Sequence, residues 1–398
     1  MASIELIFAL AGTILLIGFL GYYLSRKFRI PDILILIFVG YIITTTFKLI
    51  DPAPLKPIVP LFTSLALLVI LFDGGLQLEL HKFLKESPRA FVLSVLAFVL
   101  SMLGVAAFMH FLLGWDLLLS LLLGSIIGDS SATVAIAMVR HLNIPERVKT
   151  LISLESTYNS PITIVVTLVI LQLITAGGEA QIYSSVAQEI ASAFSIGVVL
   201  GIIAGVFWLR VLYELRGGSY EDILTLAFAL MGFSTVQVLG GNGAIFALIF
   251  GLVLGNGNVV ARIFRMEKRA SAGVLMKRFQ AQISFLVRTF FFIYIGVVFL
   301  LPSPLILVYS IILAAILVLV RYAATVISLL GDTILLDYRH IVTAIMPRGL
   351  STAVLTPLVI AANVKNADIL VQIVITMIIL TAIIATAGSY YFHHKEVA

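Results

Sequence analysis

The sequence predicts an all-α membrane protein with thirteen transmembrane helices, arranged as an inverted repeat of two six-helix units. Composition sets the class: 61% of the 398 residues are hydrophobic and 11% are charged, against about 45 to 50% and about 25% in soluble domains. Thirteen apolar runs are long enough to cross about 30 Å of hydrocarbon. The fifth and the twelfth run are interrupted, and paired interrupted helices are typical of transporter substrate sites.

The first apolar run lacks a basic leader and is followed by further spans, so it is predicted to be a transmembrane helix and not a cleaved signal. The connections between spans are short. The predicted spans are Ile4 to Tyr23, Pro31 to Phe47, Leu61 to Leu78, Ala90 to Leu113, Leu117 to Val139, Val148 to Ile174, Val186 to Trp208, Ile223 to Val238, Ala244 to Val259, Ile283 to Leu301, Leu305 to Leu329, Ile341 to Ala361 and Ile369 to Tyr391.

Basic residues fall on alternate connections, which predicts the orientation in the membrane. Arg89, Arg147 and Arg216 lie on one side, whereas the opposite side receives few lysines. By the positive-inside rule the amino terminus is outside the cell and the carboxyl terminus is in the cytoplasm. The basic stretch 262–282 is too charged to cross and is expected to lie along the inner surface, against anionic lipid headgroups.

An inverted repeat follows if the seventh span is a linker, because spans one to six and eight to thirteen then have opposite topologies. Span five then corresponds to span twelve. Span five carries Asp129 between Gly128 and Ser130, and a charge at mid-bilayer costs about 2.5 to 3.5 kcal/mol on insertion scales. The sequence therefore predicts a cation or proton site at Asp129.

Spans twelve and six supply further polar groups. Span twelve contains MPRGLSTAVLTP, where Arg348 is expected to compensate the dipoles of opposed half-helix ends. In span six, Glu155 and Asn159 are four residues apart, as are Ser156 and Ser160, so adjacent ridges of one helix carry a carboxylate, an amide and two hydroxyls. Hard oxygen ligands of this kind suit a monovalent cation better than zinc.

Four charged residues within or near the spans need partners or water. Glu155 and Arg321 are each too costly to bury alone, so they are expected to form a structural ion pair. Arg288 is expected to extend its charged end toward the inner surface. Asp73, near the inner end of span three, is a candidate for the lining of an entrance funnel, although a solvated helix end explains it equally well.

Other functional classes are disfavoured. The chain has no cysteine, and its six histidines do not complete a metal cluster with the acids of spans five and six. The net charge of +5 lies in short loops, so it gives no reason to expect nucleic acid binding, and no cofactor is expected. An intramembrane aspartyl protease would need a Gly-x-Gly-Asp element, but position 126 is Ile, and it would need a second carboxylate.

The order LFDGGL, GDSSATVA, LESTYNSP, FFFIYIG, the intramembrane Arg321 and PRGLSTAVL resembles the electroneutral sodium/proton antiporters, a branch of the monovalent cation/proton antiporter superfamily. The resemblance covers nearly the whole chain. It implies that Asp129 is the first site aspartate, Asn159 the site asparagine and Ser156 a hydroxyl ligand. It also assigns Glu155 and Arg321 to the ion pair of the family, and Arg348 to its Arg-Gly motif.

Three positions depart from that pattern. Gly128 and Ser130 stand where the family usually has Thr and Pro, and Ser160 stands where it has a second aspartate. Asp129 could bind the cation and the proton alone, or a neighbouring acid could replace the second aspartate. Ser160 could also be an engineered change. A potassium/proton antiporter and an uncoupled or transport-impaired relative are therefore alternatives to sodium or lithium exchange.

The resemblance also implies a division of the chain and a mechanism. Spans one to three (1–88) and eight to ten (219–302) would form a dimerisation scaffold, and span seven (179–218) a linker. Spans four to six (89–178) and eleven to thirteen (303–398) would form a mobile core. The expected protein is a homodimer in the plasma membrane that exchanges a cation for a proton, electroneutrally, by elevator-type alternating access.

Overall fold

The computed structural model describes residues 4–28, 31–45, 59–78, 88–140, 142–175, 183–215, 220–264, 274–298 and 301–395. Within these ranges all regular structure is helical. The helices are α1 (Ile4–Phe28), α2 (Asp32–Thr45), α3 (Val59–Gln77), α4 (Pro88–Ala107, continued by a π-turn at Phe108–Leu112), α5 (Leu117–Ile127), α6 (Ala132–Val139), α7 (Glu146–Thr175), α8 (Tyr183–Glu214), α9 (Glu221–Val238), α10 (Gly243–Gly255), α11 (Gly257–Ile263), α12 (Val274–Val298), α13 (Pro304–Leu329), α14 (Thr333–Asp337), α15 (Arg339–Ala344), α16 (Leu350–Ala361) and α17 (Ala367–Lys395).

The prediction of an all-helical membrane protein is confirmed. In the described ranges, nine helical segments are long and apolar enough to cross a membrane, or ten if the bent pair α10 and α11 counts as one span. Shorter apolar helices occur at Gly12–Ser25, Asp32–Thr45 and Leu350–Ala361, where the sequence predicts spans one, two and twelve. The count of thirteen spans and the inverted repeat remain predictions.

The helix contacts divide most of the described helices into two groups. In one group α3 packs on α10, α10 on α8, and α12 on α2; in the other α13 packs on α4, α4 on α5 and α7, and α17 on α13 and α16. The groups meet where α16 contacts α3 and α12, and where α7 contacts α3. The second group contains both interrupted helices, so the site lies in this group and close to the boundary between the two.

Glycines allow the closest helix contacts in the first group. A Cβ atom at Gly75 of α3 would lie 2.2 Å from the carbonyl oxygen of Leu248 in α10. A Cβ atom at Gly40 of α2 would lie 2.2 Å from the carbonyl oxygen of Ile293 in α12. Because lipid provides no hydrophobic drive for helix association, such backbone contact through small residues is a main source of packing energy in membranes.

The ninth predicted span ends earlier than the apolar pattern indicates. Helix α10 stops at Gly255, and the chain bends by 85° into α11. The side-chain amide of Asn256 donates to the carbonyl oxygens of Leu78 at 2.6 Å and Leu252 at 2.8 Å. The bend therefore ties the end of α10 to the end of α3.

Arg288 has a charged partner within the protein. Its guanidinium forms a salt bridge with Asp32 of α2 at 3.0 Å, and both side chains are largely buried; the extension of its charged end toward the inner surface stays a prediction. The carboxylate partner removes the need to reach water, because a buried charge is stabilised when it is paired. Of the predicted interfacial segment 262–282, residues 265–273 lie outside the described residues, and α12 already begins at Val274.

Candidate functional site

The site forms where two helix breaks cross. Residues 128–131 separate α5 from α6, and residues 345–349 separate α15 from α16. The backbone N–H of Ser131 donates to the carbonyl oxygen of Pro347 at 2.8 Å, which joins the two breaks directly. A Cβ atom at Gly349 would lie 2.1 Å from Oγ of Ser131. Only glycine at this position allows the two extended segments to come so close.

Arg348 lies inside this crossing and is 2% exposed. Its Nε donates to the carbonyl oxygen of Ile127 at 2.7 Å, and Nη1 donates to that of Met346 at 2.6 Å. Ile127 is the last residue of α5, and Met346 follows α15. The carboxyl ends of helices carry partial negative charge and unpaired carbonyls, so Arg348 stabilises two half-helix ends at once.

Asp129 is buried at the same crossing, with 1% exposure. Ser160 of α7 donates to its Oδ1 at 3.0 Å. Ser351 of α16 donates to its Oδ2, and Thr352 donates to the same oxygen at 3.3 Å. In the described part of the chain, hydroxyl groups and not a basic side chain hold this carboxylate.

Glu155 and Arg321 form a second buried group beside the crossing. Nη1 and Nη2 of Arg321 donate to the two carboxylate oxygens of Glu155 at 2.6 and 2.9 Å. The amide of Asn159 also donates to Glu155 at 3.3 Å, and the hydroxyl of Ser156 does so at 3.2 Å. The Glu155 carboxylate is therefore satisfied from both sides, as a buried charge requires.

A pair of serines lies between the two groups. The Oγ atoms of Ser130 and Ser156 are 3.0 Å apart, and Ser156 also reaches Glu155. Ser160 lies 3.4 Å from the carbonyl oxygen of Ser130. Polar atoms thus run continuously from Asp129 to the Glu155 and Arg321 ion pair.

The predicted site residues lie in two places, at the helix crossing and around Glu155. Asp129, Ser160 and Gly128 lie at the crossing, whereas the side-chain hydrogen bonds of Asn159 go to Glu155 and Thr163 on its own helix. Asp73 lies near the end of α3, where Gln77 donates to it at 2.8 Å. Its neighbour Gly74 approaches Pro161 of α7, because a Cβ there would lie 3.4 Å from the proline ring.

Sequence reasoning missed Ser351 and Thr352 as partners of Asp129. Both belong to the PRGLSTAVL stretch and occupy the first turn of the helix that follows the break. Their position in the first turn of a helix could have indicated this contact, since a carboxylate such as that of Asp129 is favoured at a helix amino terminus. A carboxylate among hydroxyl oxygens can hold a proton or an alkali cation. It does not hold both at once, because the two positive charges would repel each other.

The chain was compared with known families and curated proteins. The family described as sodium/hydrogen exchanger, transmembrane, matches residues 13–388. The K(+)/H(+) antiporter NhaP2 of Shewanella oneidensis is 31% identical over 200 residues, which cover 49% of this chain and 34% of the relative. The Na(+)/H(+) antiporter ApNhaP of Aphanothece halophytica is 24% identical over 229 residues, covering 57% and 42%. The chain thus matches about a third of the length of NhaP2.

A solved structure shares the fold. The sodium proton antiporter MjNhaP1 from Methanocaldococcus jannaschii at pH 8 superposes with a TM-score of 0.79 and 20% sequence identity, covering 98% of each chain. The family match extends over nearly all described helices, including both interrupted ones. The chain is therefore a multi-pass membrane protein that belongs to the sodium/hydrogen exchanger family.

Proposed function

We propose that this chain is a secondary antiporter that exchanges a monovalent alkali cation for a proton, with Asp129 as the shared binding group. The observation that carries the proposal is the buried carboxylate at the crossing of two broken helices, held by hydroxyls. An ionisable group within the membrane is a functional-site candidate by default. Arg348 is engaged by carbonyl oxygens, so the Asp129 carboxylate stays available for a positively charged ligand.

Competition at one carboxylate accounts for the coupling. A protonated Asp129 is neutral and attracts a cation weakly, whereas the ionised form attracts it strongly. A proton and a cation therefore occupy the site in turn. If the site can cross the membrane only when it is neutralised by one of them, each cation moved in one direction requires a proton in the other.

The cation is Na⁺ in the favoured form of the proposal, with Li⁺ as a further substrate. This preference rests on the family resemblance and on the names of ApNhaP and MjNhaP1. K⁺ is the second candidate, because the relative NhaP2 is named a K(+)/H(+) antiporter and hydroxyl oxygens bind either ion. A comparison of proton flux driven by Na⁺, Li⁺ and K⁺ gradients separates the two.

Electroneutral exchange follows from the charge of the site. Ser160 contributes a neutral hydroxyl next to Asp129, so one negative charge accepts either one proton or one monovalent cation. The occupied site is then neutral in both halves of the cycle. We expect flux independent of membrane potential in the wild-type protein, and flux that follows the membrane potential would contradict electroneutral exchange.

Alternating access is required by the burial of Asp129. With 1% exposure, the carboxylate reaches either aqueous side only after a conformational change. The elevator form of this change would move helices α4 to α7 and α13 to α17 along α3 and α12. Contacts of α16 with α3 and α12 lie on this boundary, which supports the assignment of a moving core and a static scaffold.

Orientation and assembly complete the proposal. We propose that the amino terminus lies outside the plasma membrane. The scaffold helices would form the contact of a homodimer that is surrounded by lipid. Because the sequence has no cysteine, any labelling of a single-cysteine variant of this chain comes from the introduced residue, and such variants can test the orientation. Leu330→Cys, between α13 and α14, should be protected from an impermeant maleimide in intact cells, whereas Leu239→Cys, between α9 and α10, should react; the reverse pattern overturns the orientation.

Flux measurements in proteoliposomes test the function itself. Wild-type protein should convert a cation gradient into proton movement, and Asp129→Asn should not. Asp116→Asn is a matched control, since Asp116 immediately precedes the same interrupted span and caps the start of α5, a role that asparagine also fills. Wild-type flux in Asp129→Asn, or loss of flux in both variants, would contradict the proposal.

A further inference from the structure

The hydroxyls around Asp129 come from two different helices. Ser160 belongs to α7, and Ser351 and Thr352 belong to the first turn of α16. Oγ of Ser351 also lies 3.2 Å from Oγ of Ser160, so the Asp129 carboxylate and the two hydroxyls form a closed ring of neighbouring oxygen atoms, in which both hydroxyls can donate to the carboxylate. This ring occupies the place where the resemblance expects a second acid.

We propose that Ser351 and Thr352 are direct ligands of the transported cation and, with Ser160, determine which alkali ion the site accepts. The inference rests on the proposed function and adds the ligand set to it. Hydroxyl oxygens are hard neutral ligands, suited to alkali cations. Because they come from α16 and α7, binding would also hold the second interrupted helix against the sixth predicted span.

Alternative hydrogen-bond acceptors allow these side chains to change roles. A hydroxyl has one hydrogen and two lone pairs. The hydrogen of Thr352 can turn to the carbonyl oxygen of Ile126 at 3.2 Å, and that of Ser160 to the carbonyl oxygen of Ser130 at 3.4 Å. The hydrogen of Ser351 can turn to Oγ of Ser160 at 3.2 Å. Each oxygen then presents a lone pair to a cation without movement of the backbone.

The same rotations accommodate the proton. When Asp129 is ionised and empty, the three hydroxyls donate to it. When it is protonated, its O–H donates to the oxygen of Ser351 or Thr352, whose hydrogen turns away. A proton and a cation therefore compete for the same hydroxyl lone pairs as well as for the carboxylate, and the displaced proton leaves to water.

Cation size determines how much each hydroxyl matters. A small ion such as Li⁺ or Na⁺ holds its hydration shell more tightly than Rb⁺, so it needs more close oxygen ligands to replace that shell; number and field strength of ligands set alkali selectivity. Removing one hydroxyl should therefore weaken binding of Na⁺ more than of Rb⁺. A structural role for Ser351 would change all ions equally.

Variants that remove or keep each hydroxyl test the assignment. Ser351→Ala and Thr352→Val remove it, whereas Ser351→Thr and Thr352→Ser keep it. Thr356→Val is the matched control on the same helix, since Thr356 is buried but donates only to the carbonyl oxygen of Thr352 at 2.9 Å. The measurement is the concentration of Li⁺, Na⁺, K⁺ and Rb⁺ that gives half-maximal proton exchange in proteoliposomes.

We expect the Na⁺ concentration for half-maximal exchange to rise about tenfold or more in Ser351→Ala and Thr352→Val, as for the loss of one bond to a charged group. The increase for Rb⁺ should be smaller. Ser351→Thr, Thr352→Ser and Thr356→Val should keep the order of the four ions. If the alanine or valine variant fails to fold, Ser351→Cys retains a donor but offers soft sulfur, and the same loss is expected.

Two outcomes overturn the inference. The first is a ratio of the half-maximal Na⁺ and Rb⁺ concentrations that stays at the wild-type value in folded Ser351→Ala, Thr352→Val and Ser351→Cys. This result refutes the ligand assignment but not the proposed function, because the wild-type protein still exchanges. A wild-type protein that exchanges none of the four cations refutes the proposed function and the ligand assignment with it.

Discussion

Replacing Arg321 with methionine is expected to lower the free energy of unfolding by about 3 to 5 kcal/mol, as for other buried ion pairs that lose one partner. Glu155 is 0% exposed and would keep only the bonds from Ser156 and Asn159, at 3.2 and 3.3 Å. The two short contacts from Arg321 would be lost. The carbonyl oxygens of Val342 and Ile345 would also lose a donor.

Reversible unfolding in mixed detergent, followed by circular dichroism, measures this cost. The double variant Glu155→Leu with Arg321→Met should recover most of the stability, since apolar replacement of a buried pair is often neutral. The control Arg339→Met removes an arginine that donates to the Tyr322 hydroxyl and the Leu336 carbonyl, and should cost about 1 kcal/mol. A loss of stability in Arg321→Met no larger than in this control, or strictly additive effects in the double variant, would exclude a stabilising ion pair between Glu155 and Arg321.

Three further perturbations have defined outcomes. Gly349→Ala should destabilise the protein by about 1 to 3 kcal/mol through overpacking against Ser131, and Ser131→Gly should restore the unfolding midpoint; failure of this rescue would contradict the steric account. Arg348→Met should lower the unfolding free energy by about 2 to 3 kcal/mol, because two carbonyl oxygens lose a charged donor, and wild-type stability would exclude the capping role. The backbone N–H of Leu335, followed by Arg147 and Arg89, lowers the pKa of Asp332 below its usual 3.8. A lowered pKa stabilises the fold above the unfolded pKa, and this stability is lost as pH falls through the folded pKa. Asp332→Asn should therefore lower the thermal midpoint at neutral pH, and this effect should shrink as the pH falls below the usual pKa of 3.8; an effect of the same size at every pH would exclude a role for the charge.

Sequence patterns predicted the helices and the position of the crossing because each depends on local signals. Apolar length marks the spans, and the breaks coincide with GDSSAT and MPRG, where polar residues, proline and glycine interrupt the apolar run. The structure brings Asp129 and Arg348 together at this crossing, and it pairs Glu155 with Arg321. Few residues of opposite charge occur within apolar segments, so the pairing of Glu155 with Arg321 could be inferred without knowledge of distances.

Contacts between distant segments could not be derived in the same way. Asp32 has the pattern of an ordinary acid at a helix start, and only the packing of α2 against α12 reveals Arg288 as its partner. Likewise, Asn159 and Ser160 are adjacent in sequence, yet one side chain contacts Glu155 and the other contacts Asp129. The direction of each side chain depends on helix rotation, which tertiary contacts determine.

Proton release on cation binding tests the competition at Asp129 most directly. In weakly buffered detergent solution at a pH where Asp129 is protonated, addition of the preferred cation should release one proton for each cation bound. We expect that Asp129→Asn releases none and binds the cation far more weakly, whereas Asp116→Asn behaves as wild type. Cation binding without proton release, or release that persists in Asp129→Asn, would contradict it.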